Sequence, residues 1–327
     1  MKEITYAEAI AEALDEEMQR DPSVFVLGED VGPYGGNFTV TKGLWDKHGE
    51  WRVKDTPISE AGIIGCALGA ALTGLRPVAE LMFSDFIPTA MDQIVNQVAK
   101  IRYMSGGQAK VPLVIRTPIG GGRSSAAQHS QSLQALLAHI PGLKIALAAT
   151  AYEAKGLLKT AIRDDDPVVL FEHKMEYKNK LLIPEEEYLI PFGKAAIKRT
   201  GKDVTVVATC SMANYALTVA EELTEEGIEV EVLDPMTIVP LDIETILESV
   251  KKTNRIVVVD EGHYTCGVAV EIAMQIMEKA FDYLDAPIER VCTKQVPIPF
   301  SPPMENYVVP GSGYIKEAIY KSLNYRF

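Results

Sequence analysis

The chain has 327 residues, 47% of them hydrophobic and only 7% aromatic, which is long for one domain and enough for two sizeable cores. Its formal charge of -13 and pI near 5.0 exclude nucleic acid or an anionic membrane surface as the main partner, because phosphate binding needs concentrated Lys and Arg. The scattered Cys66, Cys210, Cys266 and Cys292 form no Cys-x-x-Cys pair and read as reduced thiols of a cytoplasmic protein, and neither a signal-peptide pattern nor an uncharged run of membrane length is expected.

In chain order, residues 5–20 set Ala9, Ile10, Ala13, Leu14 and Met18 at helical spacing with acids opposite, which predicts a surface helix. A short apolar strand over 24–27 ends in a glycine-bearing loop. Ser59 is an N-cap candidate for a glycine-rich, uncharged run over 61–75, predicted as a buried helix whose glycines admit a second backbone. A strand over 77–83, a long helix over 86–104 and a strand over 111–116 follow, the last opening into a Gly- and Ser-rich loop over 117–130. Strands over 143–148 and 168–171 flank a helix over 152–163. Charged residues and two prolines over 174–191 read as an interdomain connection. A second alternation places strands at 204–208, 229–233, 256–259 and 288–291, with helices at 213–226, 243–252 and 268–281. Apolar strands alternating with helices predict an α/β fold of parallel sheets covered on both faces, whose sites lie beyond the carboxyl ends of the strands.

Two residues stand in such loops. Glu60 falls in the first turn of the glycine-rich helix, where the apolar surroundings oppose its charge and the helix N-terminus favours it. It is either an ordinary N-terminal acid or a functional carboxylate. His129, in Gln128-His129-Ser130-Gln131, has polar neighbours and is either a substrate-facing group or a loop cap. The run Asp164-Asp165-Asp166 is either a solvated turn or a cation site. Gly120-Gly121-Gly122 lacks the Lys of a nucleotide phosphate loop, and no Gly-x-Ser-x-Gly elbow is present.

Six motifs in order, Leu27-Gly28-Glu29-Asp30-Val31, Pro57-Ile58-Ser59-Glu60-Ala61-Gly62, Gly74-Leu75-Arg76-Pro77, Tyr103-Met104-Ser105-Gly106-Gly107, Ala126-Ala127-Gln128-His129-Ser130-Gln131 and Ile162-Arg163-Asp164-Asp165-Asp166-Pro167, carry a resemblance. Nearly end to end, the chain resembles the β subunit of the thiamine-diphosphate-dependent first component of 2-oxo acid dehydrogenase complexes. The resemblance implies two doubly wound α/β domains, a transketolase-like pyrimidine-binding domain over 1–190, linker included, and a transketolase C-terminal-like domain over 191–327.

It also implies roles. Glu60 would hold a proton against a ring nitrogen of the cofactor's aminopyrimidine, Met82 and Phe86 would line that ring, and His129 would face the substrate or the lipoyl group. Leu113, Ala161, Ile162, Asp164 and Asp166 match positions that hold a K+ ion, largely through backbone oxygens. Thiamine enzymes hold the diphosphate and Mg2+ with a Gly-Asp-Gly segment, which this sequence lacks, so a separate α subunit is expected to bind that end in an α2β2 heterotetramer. A lipoyl acyltransferase core is the expected acceptor, contacted by the second domain. A small 2-oxo acid, pyruvate foremost, is the expected substrate. Residues 80–86 and 171–174 look more like the acetoin-cleaving branch, and residues 31–38 more like the pyruvate and branched-chain branches. An acetoin dehydrogenase β subunit and a non-catalytic scaffold are the alternatives.

Overall fold

A computed structural model describes residues 1–326, which divide into two compact units. The first comprises residues 1–119 and 136–192, the second residues 120–135 and 193–326.

In the first unit six strands run parallel in the order Lys144–Ala148, Val168–His173, Val114–Ile119, Arg76–Glu80, Val24–Gly28, Val53–Asp55. Their side chains are almost all buried, as a sheet covered on both faces requires. The helix Tyr6–Arg20 starts at a capping box, in which Thr5 Oγ1 accepts from Glu8 N and Glu8 reaches back to Thr5 N at 2.7 Å. Its apolar side is buried as its periodicity predicts and Glu8, Gln19 and Arg20 are exposed, but part of its acidic side is covered. Its acidic side faces the helix Ala151–Arg163, where Lys155 and Lys159 donate to Glu16 at 2.7 and 2.6 Å and Arg163 grips the fully buried Glu17. Opposite charges on two packed helices look like two solvent faces when each is read alone.

Three further expectations change. The long helix over 86–104 breaks into a 3-10 segment Ser84–Ala90, a π-helical segment Gln93–Val98 and a single α turn Ile101–Met104. Pro88, with no N–H to give, obstructs a continuous α ladder there. The helix Glu60–Leu72 buries one face only, through Ile63, Ile64, Ala67, Leu68 and Ala71. Its opposite face, with Gly62, Cys66 and Gly69, is exposed, and a Cβ on Gly69 would meet nothing within 4 Å among the described residues. The stretch read as a connection is folded into the first unit: Lys180–Ile183 pairs antiparallel with Lys2–Thr5, and Tyr177 is buried.

The second unit holds a five-stranded sheet in the order Glu289–Thr293, Ile256–His263, Val204–Ala208, Val230–Asp234, Ala196–Arg199. The last strand, unforeseen in the sequence, is antiparallel and closes one edge. Helices Met212–Thr224, Ile243–Thr253, Val268–Ala280 and Ser312–Leu323 pack on this sheet and on one another.

Charge is buried among three neighbouring parallel strands of the first unit. Arg116 is 1% exposed and donates through Nε and Nη2 to both oxygens of Glu172 at 2.7 and 2.9 Å, and through Nη1 to Glu80 at 2.8 Å. Tyr177 adds a hydroxyl to Glu172 at 2.7 Å. Burial pushes the Glu80 carboxyl above its ordinary value against the pull of Arg116, while the two carboxylates override burial and hold Arg116 protonated. Arg116→Met leaves both carboxylates buried without their cation, so a loss of roughly 3–5 kcal/mol in unfolding free energy is expected by chemical denaturation. A loss of about 0–1 kcal/mol, the range of an exposed pair, would contradict this account.

Candidate active site

Glu60 opens its helix as the sequence predicts. The Ser59 hydroxyl accepts from Gly62 N at 3.3 Å and its carbonyl from Ile63 N at 2.8 Å, which leaves Glu60 half-buried in the first turn. The preceding turn is tied to the loop after the strand Val24–Gly28. Thr56 N donates to Gly28 O at 3.0 Å, and Gly32 N to Asp55 Oδ1 at 2.6 Å. Gly28 also lets the neighbouring strand Arg76–Glu80 come close, since a Cβ there would lie 2.9 Å from Glu80 O.

The same loop brings in Glu29, which sequence reasoning passes over. It is buried, and its carboxyl is raised first by that burial and then by the negative charge of Glu60. A buried carboxyl held toward its protonated form, beside a second carboxyl at the carboxyl ends of parallel strands, can hold a proton near a bound group.

The helix Glu60–Leu72 packs against the segment Ser84–Ala90, which carries Phe86. Phe86 meets Phe83 edge-on at 5.7 Å, Phe83 meets Phe38 at 6.1 Å, and Phe38 stacks on Tyr177 at 4.5 Å. Met82 is half-buried directly after the strand Arg76–Glu80. Glu60, Met82 and Phe86 therefore belong to one unit. Carboxylates at a helix start and a half-buried Met and Phe fit a flat, basic, partly apolar ring. Beneath the aromatic row, Tyr177 connects it to the Arg116 cluster. That cluster has a sequence signal in retrospect: Glu80, Arg116 and Glu172 are charges set within, or directly after, apolar strand runs.

His129 lies in the second unit, half-buried, with its N–H directed to Ala126 O at 3.5 Å.

The residues assigned to K+ surround the acidic turn, which is an ion-paired knot. Lys144 donates to both oxygens of Asp164 at 2.8 and 2.7 Å, Arg102 to Asp166 at 2.6 Å, and Arg76 and Lys110 to Asp165 at 2.7 Å each. Among the backbone oxygens, Leu113 O accepts from Val168 N at 3.0 Å and Ala161 O from Asp164 N at 3.2 Å. Ile162 O and Asp164 O accept from Arg76 at 3.0 and 2.9 Å. A carbonyl oxygen has two lone pairs, so each of these retains acceptor capacity for a cation.

The two-unit α/β architecture, with an acid-bearing helix at the carboxyl ends of its first sheet, defines the class of transketolase-type thiamine enzymes. Residues 2–180 match the transketolase pyrimidine-binding domain, and residues 193–315 match the transketolase C-terminal domain. The β subunit of acetoin:2,6-dichlorophenolindophenol oxidoreductase from Cupriavidus necator is 50% identical over 325 residues, covering 96% of each chain. The pyruvate dehydrogenase E1 component subunit β of Rickettsia felis is 48% identical over 323 residues, covering 99% of each. A solved split-gene transketolase, described as an inactive β4 tetramer, superposes with a TM-score of 0.81 at 25% identity and 98% coverage of both chains. The chain belongs to the β-subunit family of thiamine-diphosphate-dependent dehydrogenase E1 components. A β subunit of this family implies an α partner. No helix among the described residues is long and apolar enough to cross a membrane.

The raised Glu29 carboxyl has a pH signature. A carboxyl whose folded pKa is raised adds stability that is full below the unfolded value near 4.5 and is lost as pH rises through the folded value. Glu29→Gln is expected to match wild type in acid and to melt at a higher temperature at neutral and alkaline pH. Thermal scans across pH test the sign, and a gap that closes as pH rises contradicts it.

Proposed function

We propose that this chain is the β half of a heteromeric enzyme that oxidatively decarboxylates a small 2-oxo acid, pyruvate foremost, and passes the acyl group to a lipoyl arm. The observation that carries this reading is Glu60: a carboxylate in a helix first turn, sensed by the buried Glu29 and set on the helix that packs against the Phe86 segment. When bound, thiamine diphosphate supplies the electron sink for the bond cleavage. Glu60 holds and moves a proton at the ring nitrogen of the aminopyrimidine, with Glu29 as a second carboxyl that keeps the local proton balance. Met82 and Phe86 line the ring and exclude water. His129 orients the substrate or the lipoyl acceptor through a group able to donate or accept near neutral pH.

The α subunit takes the diphosphate and Mg2+, in keeping with the lack of Gly-Asp-Gly in this sequence. The exposed glycine face of the helix Glu60–Leu72 supports close packing of another chain in an α2β2 assembly. Leu113, Ala161, Ile162, Asp164 and Asp166 form a K+ site with their remaining lone pairs, the second domain serves the acyltransferase core, and the assembly works in the cytoplasm. Acetoin cleavage is the second reading, favoured by two relatives of that type that are each 50% identical.

With the α subunit co-expressed, calorimetry is expected to show thiamine diphosphate binding in the presence of Mg2+, and none to this chain alone. Glu60→Gln should assemble normally and lose about 10² to 10⁴ in turnover, the usual cost of a lost acid-base group. An assembled variant with wild-type turnover would return the chain to a scaffold role. Turnover of pyruvate, branched 2-oxo acids and acetoin ranks the substrates, and activity on acetoin alone replaces the first reading with the second.

A further inference from the structure

We propose that Glu305 is a positioning residue for the reaction: its carboxylate clasps the glycine loop and so sets the place of His129. The proposal rests on the reading of His129 given above.

The loop departs from ordinary backbone four times. Gly120 and Gly122 have φ of +99° and +91°, and Ser124 and Ala126, which carry side chains, have φ of +53° and +59°. Non-glycine residues persist in this region only where their surroundings over-determine them. Successive turns of this kind direct backbone N–H groups inward, and such concavities ordinarily bind a free anion. Here the anion belongs to the chain itself. Gly122 N donates to Glu305 Oε1 and Ser124 N to Glu305 Oε2, both at 2.9 Å, while Gly121 N donates to Glu261 Oε1 at 2.6 Å.

Glu305 is 2% exposed, so its two oxygens need these donors as much as the donors need it. Its own backbone is held in the short helix Pro302–Val308, where Glu305 N donates to Ser301 O at 2.8 Å and Val309 N to Glu305 O at 2.9 Å. The loop lies flush against that helix end: a Cβ on Gly121 would stand 3.0 Å from Val309 Cγ2 and 3.3 Å from Glu305 Oε1. Past the clasp, His129 N closes the turn onto Ala126 O, so the imidazole is reached through the residues that Glu305 holds. Loops that place a reacting group are sensitive to such supports, since a shift near 1 Å costs about 10²-fold in rate. The clasp, the strained backbone and His129 all lie within the second unit.

The test uses the enzyme reconstituted with its α subunit. Glu305→Gln keeps the shape but presents an amide N–H to a backbone N–H. It is expected to lose about 10²-fold in kcat. Thiamine diphosphate affinity should hold, the melting temperature should fall by no more than one lost buried hydrogen bond accounts for, and amide exchange should speed up across residues 121–130. Glu305→Asp, which keeps both acceptor oxygens, should recover part of the rate. In a His129→Ala background, Glu305→Gln should add little further loss. Fully additive losses, or unchanged exchange and unchanged kcat in Glu305→Gln, overturn the proposal. If Glu305→Gln yields no assembled enzyme, Gly121→Ala, which crowds the loop against Val309 and Glu305 and leaves both carboxylates intact, is judged by the same criteria. A wild-type rate for His129→Ala would instead sink the role of His129 and the catalytic half of the proposal, while exchange in Glu305→Gln decides separately whether the clasp holds the loop.

Discussion

Arg116 is turned away from water, so each of its donors has to find an acceptor inside the protein. The acceptors are Glu172 and Glu80, on the strands either side of the one that carries Arg116. One planar fork therefore ties three neighbouring strands together below the edge where sites of parallel sheets form. Replacing such a cluster by apolar residues is often neutral for stability, whereas removing one member is costly. What the cluster supplies is relative placement: Glu172 anchors Tyr177, Tyr177 stacks on Phe38, and Phe38 leads through Phe83 to Phe86.

Glu60 is supported differently. A helix start fixes its Cα through the Ser59 cap, and the turn before it is stitched to the Gly28–Gly32 loop by one backbone hydrogen bond and one accepted by the Asp55 carboxylate. Glu29 comes from that loop, so its approach to Glu60 follows from the stitching and not from any local preference. The result is a buried Glu29 carboxyl that burial, and then the charge of Glu60, holds toward its protonated form. A β subunit of a thiamine enzyme needs that control of protons more than it needs a nucleophile, because the cofactor supplies the electron sink.

The acidic turn, partly open to solvent, and the glycine loop, closed on a buried carboxylate, illustrate two ways of holding charged groups in place. In the first, Asp164, Asp165 and Asp166 gather Arg76, Arg102, Lys110 and Lys144. In the second, backbone N–H groups gather Glu261 and Glu305. Either arrangement fixes backbone carbonyls or side chains that lie next to it in the chain.

Much of the fold is legible from local pattern. The alternation of apolar strands with helices, the Ser59 cap and the first-turn place of Glu60 all follow from spacing and residue type, because those signals act within a few residues. The aromatic row, the clasp on the glycine loop and the Arg116 cluster join residues from distant parts of the sequence, and no short-range pattern encodes such a meeting. The same limit explains the errors. The acids of the helix Tyr6–Arg20 look solvated until Lys155, Lys159 and Arg163 are found opposite them, and the glycine run looks wholly buried until one of its faces is found exposed. The sequence by itself determined the elements, their order and the residue types available for proton control. The tertiary structure alone decided which of those residues stand together, because burial and long-range hydrogen bonding are set by the packed chain and not by neighbours in sequence.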